Sequence, residues 1–394
     1  MSDGQGRVGP KSAVDVTTAA ASSQHPIVTE TMLDVLREGG NAVDAAIAGC
    51  LVQATVQQDM TNHTGTVSML FYEAATGQVH ELNSMGTIVP DLAPFHLVPG
   101  GKGLYAPPGT RGPYAVIPGF MPGMKAMFER FATKPWARLC EPAVRYAEEG
   151  HEVTSFEHLV MAQTVDFFLY TPSGRAHFTP DGHLPQVGDV FAQPELAKTL
   201  RRVLDEGPDE MIGGEWARAF VDRANELGWK IDLTHMDAIA PRWASGFRWQ
   251  HKGSHGQSNM GAAIAGWFTG GGRMRSVMSN TMVLKDGAPW LQLGSPGNVH
   301  CTVPQVLTNV LDHGMDPYAA EDAPRLLPFE DDYKISVESR IPDPVITDLA
   351  KLGVLVNPLP TCDYHMGTYQ MCWRDEAGLH TSTGPRRAGM AGGF

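Results

Sequence analysis

Asp59, Asn62 and His63 stand close together, just after a helical pattern ends. An imidazole with a carboxylate nearby is the pairing that general acid–base catalysis uses: the ring takes the proton and the carboxylate orients the ring. The competing reading is structural, with Asn62 and His63 capping a helix end and tolerating left-handed backbone. Ser276, Ser279 and Asn280 offer hydroxyl and amide groups that could bind a ligand or cap the start of a strand. Gly297-Asn298 follows Ser295-Pro296, and its successive backbone N–H groups could hold an anion. The alternative is a turn kept for its own geometry, because Pro-Gly needs special dihedrals. His300 and Cys301 open a predicted helix whose N-terminus would lower a thiol pKa. Neighbouring helical residues point apart, so His300 is a poor partner for Cys301.

A series of predicted elements must position these groups. Residues 29–37 read as an apolar-faced helix with Thr29 as N-cap, stopped by Gly39-Gly40. Asn41 caps a second, Ala-rich helix over 42–55. Residues 67–72 and 78–82 read as a hairpin around Ala75-Thr76-Gly77. Helices are predicted over 124–131, 142–149, 195–205, 214–227, 302–312 and 343–352. A second hairpin joins 282–285 to 290–293 around Asp286-Gly287, and strands are predicted over 334–338, 354–357, 367–374 and 379–383. Strands and helices come in blocks, which favours layered α+β over a strictly alternating parallel sheet.

Composition narrows the function classes. The 394 residues are 42% hydrophobic and 19% charged, which suits a globular chain with a substantial core. Net charge is −13 and no basic run occurs, so nucleic acid and anionic membranes are poor partners. No apolar run approaches membrane-spanning length, and the start lacks a positive segment followed by an apolar one, so a cytoplasmic location is the expectation. Cys50, Cys140, Cys301, Cys362 and Cys372 are scattered and form neither a disulfide framework nor a zinc pattern. Gly270-Gly271-Gly272 does not follow a strand in Rossmann fashion, and neither metal nor cofactor is expected.

Four ordered blocks carry a resemblance. The first is Ser22-Ser23-Gln24-His25-Pro26 with Leu36-Arg37-Glu38-Gly39-Gly40-Asn41-Ala42-Val43-Asp44-Ala45-Ala46. The second runs from Val116-Ile117-Pro118-Gly119 through Pro135-Trp136 to Tyr146-Ala147-Glu148-Glu149-Gly150. The third is Gly188-Asp189 with Gln193-Pro194-Glu195-Leu196-Ala197. The fourth is Leu293-Gly294-Ser295-Pro296-Gly297, then 307–314 and 320–325, and the chain closes on Gly384-Pro385-Arg386-Arg387-Ala388-Gly389. Together they resemble the gamma-glutamyltranspeptidase family. The resemblance implies one domain over 1–394, with a large-subunit-like part at 13–268 and a small-subunit-like part at 269–394. It implies a four-layer αββα sandwich of the N-terminal nucleophile hydrolase class. Such enzymes cut themselves, and the new N-terminal Thr attacks a γ-glutamyl amide with its own amine as base. A glycine-loop oxyanion hole holds the tetrahedral intermediate.

Three departures set the functional expectation. The family's Thr-Thr-His-Phe segment is absent, since only Thr269 to Gly272 separate large-subunit-like from small-subunit-like sequence; Thr234-His235-Met236 is a weak echo in the wrong place. The position resembling the family's carboxylate-gripping Arg is Met85, and the Ser-Ser pair that helps it reads Ser276-Val277. Losing the guanidinium removes a bidentate grip, so a γ-glutamyl substrate is not expected. The second oxyanion Gly reads Asn298, and a Gly-rich run is replaced by 59–65. His63 with Asp59 and Asn62 would then supply acid–base chemistry. Gly297 and Asn298 would polarise a carbonyl, with Ser276, Ser279, Asn280, Met85 and His365 around the ligand. Asp363, Tyr364 and His365 lie where the family carries a strand near its pocket. The expected activity is a hydrolase or lyase acting on a small organic acid, amide or related carbonyl compound. Alternatives are one chain of a split amidohydrolase or acyltransferase whose partner supplies the nucleophile, and a non-catalytic binding protein. Homo-oligomerisation is expected as cover for sheet edges left by the lost strands.

Overall fold

The computed structural model describes residues 5–88, 116–169, 171–226, 229–245, 280–297, 299–328 and 334–394. The chain falls into two compact units, one of Met1–Leu33 with Val277–Phe394 and one of Asp34–Ser276.

In the second unit the Gly39-Gly40-Asn41 sequence stops one helix and starts another. The stop follows Pro26–Arg37, and the new helix is Ala42–Val56. Asn41 Oδ1 accepts from the N–H groups of Val43 (2.8 Å) and Asp44 (2.9 Å), and Asp44 Oδ2 accepts from Asn41 N (2.8 Å). That capping box satisfies helix-end donors reciprocally. Asp44 has no solvent exposure and reaches further, accepting from Thr133 N at 2.8 Å, Thr133 Oγ1 at 2.6 Å and Lys134 N at 3.1 Å. Burial opposes its charge, but these donors win and hold the carboxyl below its usual range. The helix is buried on most sides and packs on Trp136–Glu149, which in turn packs on Pro194–Glu206. The hairpin Val67–Glu73 with Gln78–Ser84 takes Arg242–Ser245 as a third antiparallel strand.

The first unit holds a five-stranded antiparallel sheet in the order Val14–Val16, Leu379–Thr383, Gln370–Arg374, Ala288–Gly294, Thr281–Lys285. Alternation puts Leu291, Leu293, Met371 and Trp373 on one face, where they meet Val306 and Val310 of helix Val299–Leu311. The same unit holds a buried charged cluster. Arg386 and Glu338, both without side-chain exposure, pair through Arg386 Nε to Glu338 Oε1 at 2.9 Å and through Nη2 to Oε2. Arg386 also donates to the carbonyls of Glu321 (3.0 Å) and Ala323 (2.9 Å). Arg325 donates to the carbonyls of Met366 at 3.0 Å and Gly367 at 2.8 Å, and its N–H meets Glu338 Oε2 at 2.9 Å. Burial drives the Glu321 carboxyl up to about 7, against the pull of Ser382 and the cations Arg325, Arg386 and Lys11.

Most predicted elements occur with shifted ends. The first helix starts at Pro26 and not at Thr29. Proline suits the first helical position because its φ is preset and its missing N–H is not needed there. Thr29 is no N-cap: its hydroxyl donates to the Met390 carbonyl at 2.9 Å. The helix expected over 302–312 is Val299–Leu311, and the one over 142–149 begins at Trp136, with Pro142 inside. Helix Ser155–Gln163 and the pairing of Met390–Gly393 with Ala20–Ser23 were not anticipated by the sequence reading. Among the described residues no helix is long and apolar enough to cross a membrane.

Candidate functional site

The turn after helix Ala42–Val56 carries the first predicted group. Asn62 is exposed, and its side-chain oxygen accepts from Thr64 N (2.9 Å) and Thr64 Oγ1 (2.5 Å), forming an Asx turn. Asp59 is half-buried in the same turn. His63 turns inward. It is 4% exposed, lies edge-on to Phe120 at 5.8 Å, and its Nε2 stands 3.1 Å from the Leu51 carbonyl oxygen. A carbonyl only accepts, so Nε2 carries the proton. Burial pulls the ring's pKa down to about 4, the Leu51 bond opposing it, and the imidazole is neutral at pH 7.

Met85 reaches the same junction. Gly119 N donates to the Gly65 carbonyl at 3.0 Å, which anchors the turn to helix Phe120–Phe131. A Cβ at Gly119 would lie 2.3 Å from Ser84 O and 3.0 Å from the Met85 carbonyl carbon, so only glycine lets these segments meet. Met85 itself is 4% exposed and brings no charge to this place. Behind the turn sits a pair the sequence reading missed. His151 Nε2 meets Glu157 Oε1 at 2.9 Å with both side chains fully buried, and Gln58 Nε2 donates to the same oxygen at 3.0 Å. Its legible trace was Thr154-x-x-Glu157, a capping-box spacing that the structure forms.

Ser276, Ser279 and Asn298 lie outside the described residues. Asn280 is exposed just before strand Thr281–Lys285. Gly297 has φ of 91°, and Gly367, facing it, has φ of 71°. A Cβ on Gly297 would stand 3.2 Å from Gly367 Cα and 3.4 Å from the His365 carbonyl oxygen. A Cβ on Gly367 would stand 2.9 Å from both Pro296 O and Ser295 Oγ. Two glycines therefore lock the Ser295-Pro296-Gly297 turn against the 363–367 loop, at the start of the 13-residue helix Val299–Leu311.

That loop brings His365 beside the turn. The His365 side chain is 55% exposed, and its Nδ1 lies 2.8 Å from Oδ1 of Asp363, which is 15% exposed. Asp363 also accepts the His365 backbone N–H at 2.9 Å. Burial alone raises the Asp363 carboxyl, but the His365 contacts offset it and hold the group below its usual range. Cys301, in the helix's first turn, is not an activated thiol: burial pushes it up to about 11, against the lowering expected from a helix N-terminus. Thr234 and His235 both bond to Asp232 and form a local helix cap.

The sequence model described as gamma-glutamyltranspeptidase matches residues 28–255 and 244–394. The glutathione hydrolase proenzyme of Bacillus subtilis is 26% identical over 224 residues, which span 55% of this chain and 38% of that protein. The glutathione hydrolase proenzyme of Pseudomonas aeruginosa is 29% identical over 235 residues, again 55% of this chain and 38% of the relative. The match thus spans well under two thirds of these relatives' length. Among solved structures, a cephalosporin acylase from Bacillus halodurans superposes with a TM-score of 0.81 at 20% identity, covering 98% of this chain and 97% of that one. The gamma-glutamyltranspeptidase of Helicobacter pylori gives 0.55 at 27% identity, covering 64% and 74%. The fold is α+β, of the N-terminal nucleophile hydrolase type, whose members are four-layer αββα sandwiches.

Proposed function

The chain belongs to the gamma-glutamyltranspeptidase family, and from that premise we propose that it is a hydrolase-type enzyme with altered chemistry. It acts on a small organic acid, amide or related carbonyl compound by acid–base catalysis, without a threonine nucleophile. The observation that carries this reading is the Ser295-Pro296-Gly297 turn, held in left-handed backbone against Gly367 and leading into helix Val299–Leu311. A turn at a helix start can offer backbone N–H groups to a developing oxyanion. Two features set the reading apart from γ-glutamyl transfer. Met85 is buried and uncharged where the family resemblance expects an arginine. The sequence also contains no Thr-Thr-His-Phe segment.

The test compares hydrolysis of p-nitrophenyl acetate, an acetyl anilide and a γ-glutamyl anilide by the wild-type protein and by Gly297→Ala. Turnover of the simple acyl compounds is expected, with the γ-glutamyl anilide no better than the acetyl one. G297A, forced into a backbone that alanine disfavours, is expected to lower kcat by about 10²-fold, the scale of losing one oxyanion donor. A clear preference for the γ-glutamyl anilide, or unchanged kcat in G297A, would sink the reading.

A further inference from the structure

His380 stands between two carboxylates. Strand Val14–Val16 is an edge of the five-stranded sheet, and it sets Asp15 directly opposite His380 of Leu379–Thr383. His380 Nδ1 lies 2.8 Å from Asp15 Oδ1, and its Nε2 lies 2.8 Å from Asp375 Oδ1. A carboxylate only accepts, so both ring nitrogens donate and the ring is an imidazolium. The Trp373 ring, stacked on it with 5.3 Å between centroids, favours the same charge. Burial opposes that charge, but the bonds to Asp375 and Asp15 outweigh it and hold the ring's pKa above 6.5.

The two carboxylates are held unequally. Asp375 Oδ1 also accepts from Ala377 N at 2.8 Å and Gly378 N at 3.2 Å, so the turn before His380 fixes it. Asp15 sits on a strand of only three residues, and its side chain is 88% exposed. A neutral imidazole has one N–H. The fixed Asp375 keeps it, the Nδ1 lone pair then faces the Asp15 carboxylate, and Asp15 turns to water. What Asp15 fastens is larger than one side chain. Gly6 N donates to the Gly389 carbonyl at 2.9 Å, Gly9 N to the Pro385 carbonyl at 2.7 Å, and Gln5 Oε1 accepts from Ala391 N at 2.9 Å. The buried Lys11 ammonium donates to the Gly384 carbonyl at 3.0 Å and the Arg387 carbonyl at 2.7 Å. Residues 5–16 thus form a strap that runs along 384–391 and ends at the Asp15–His380 contact.

We propose that His380 is a proton-operated latch: its second proton fastens Asp15, and with it the strap, to the sheet, and loss of that proton loosens the strap. The seated strap binds the proton more tightly than the released one, because release removes Asp15. The latch is therefore closed below pH 6.5 and opens as pH rises through the ring's raised pKa. Among the described residues, the charged groups that act on the ring are Asp15 from the edge strand and Asp375 from the turn, while Gln370–Arg374 contributes the uncharged Trp373. Lys11 has the opposite sign. Burial pulls its pKa down to about 8, against Glu321 and Cys362, so seating gains from Lys11 only as pH rises above 8. The latch is independent of the acyl-hydrolase reading.

Hydrogen exchange of the full chain at pH 5.5 and 7.5, corrected for the intrinsic rate at each pH, gives the opening constant of the strap amides. Nitrogen-15 spectra give the titration of the His380 ring. The wild-type opening constant is expected to rise about two- to five-fold from the lower pH to the higher, the range of one exposed ion pair, with His380 titrating above 6.5. Asp15→Asn keeps the size of the side chain and removes its charge. Its strap is expected to be as open at pH 5.5 as the wild type's is at 7.5, with His380 titrating lower, and the amides of Gln370–Arg374 serve as its folding control. An equal opening constant at both pH values in the wild type would overturn the latch. So would the same rise in D15N as in the wild type, or a wild-type His380 that titrates at or below 6.5.

Discussion

His63 shows how one side chain's environment decides between chemistry and architecture. In sequence it stands beside Asp59, and that juxtaposition suits a base and its orienting carboxylate. In the fold it points into the junction under Phe120 and donates to Leu51, whereas His365, half-exposed, holds a carboxylate at its Nδ1. Spacing of residues reveals which groups are near, but not which way a ring turns, because that depends on packing from elsewhere in the chain. Burial of His63 also has a measurable consequence. Its folded pKa of about 4 lies below the ordinary 6.5, so between these values the unfolded chain binds a proton that the folded one refuses. Unfolding free energy therefore rises with pH across that window and is fully present above 6.5. The total is about 3 kcal/mol at 1.36 kcal/mol per pKa unit. Urea unfolding of wild type and His63→Gln at pH 4.5 and 7 measures it. The variant keeps a donor for Leu51 but does not titrate, so its stability should fall less on acidification. Equal losses in both proteins would count against a buried neutral ring.

At the scale of elements, legibility followed the distance over which the determining contacts act. The helix Ala42–Val56 was readable because its stop, cap and box residues are consecutive, from Gly39 to Asp44. The Val67–Glu73 and Gln78–Ser84 hairpin was readable because its turn lies between its strands. The pairing of Met390–Gly393 with Ala20–Ser23 was not, since its partners come from opposite ends of the chain. The Arg386-Arg387 block was noticed only as a resemblance, and its physical reason is equally non-local: Arg386 meets Glu338 48 positions earlier, with both side chains fully buried. Removing one member of such a pair strands the other charge in a low-dielectric interior. Arg386→Met should therefore cost about 3–5 kcal/mol, whereas pairing it with Glu338→Leu should recover part of that loss. Denaturant midpoints of the two variants decide this. A double variant as unstable as the sum of its single changes would show that the two charges are not coupled.

For the whole molecule the governing facts are that the family matches this chain in two stretches, 28–255 and 244–394, which overlap at 244–255, and that the sequence contains no Thr-Thr-His-Phe segment. The four residues from Thr269 to Gly272, at the junction the sequence reading identified, lie outside the described part. In the family as the resemblance presents it, self-cleavage and the catalytic amine are one device, because cutting is what exposes the threonine. On the proposed reading, a chain without that segment has no threonine to expose, and acid–base groups on the intact chain carry the turnover. This gives a prediction that needs no substrate. Under denaturing conditions the purified protein should give one intact mass, that of the uncut chain. Under native conditions its mass should be a multiple of that value, on the reading that strands missing from the middle of a layered fold would leave edges a second copy can cover. A single mass that stays monomeric in solution would remove the oligomer and leave the uncut chain standing. Two fragments under denaturing conditions would remove the acid–base reading at its root: a new N-terminus would exist, and its first residue would be the nucleophile.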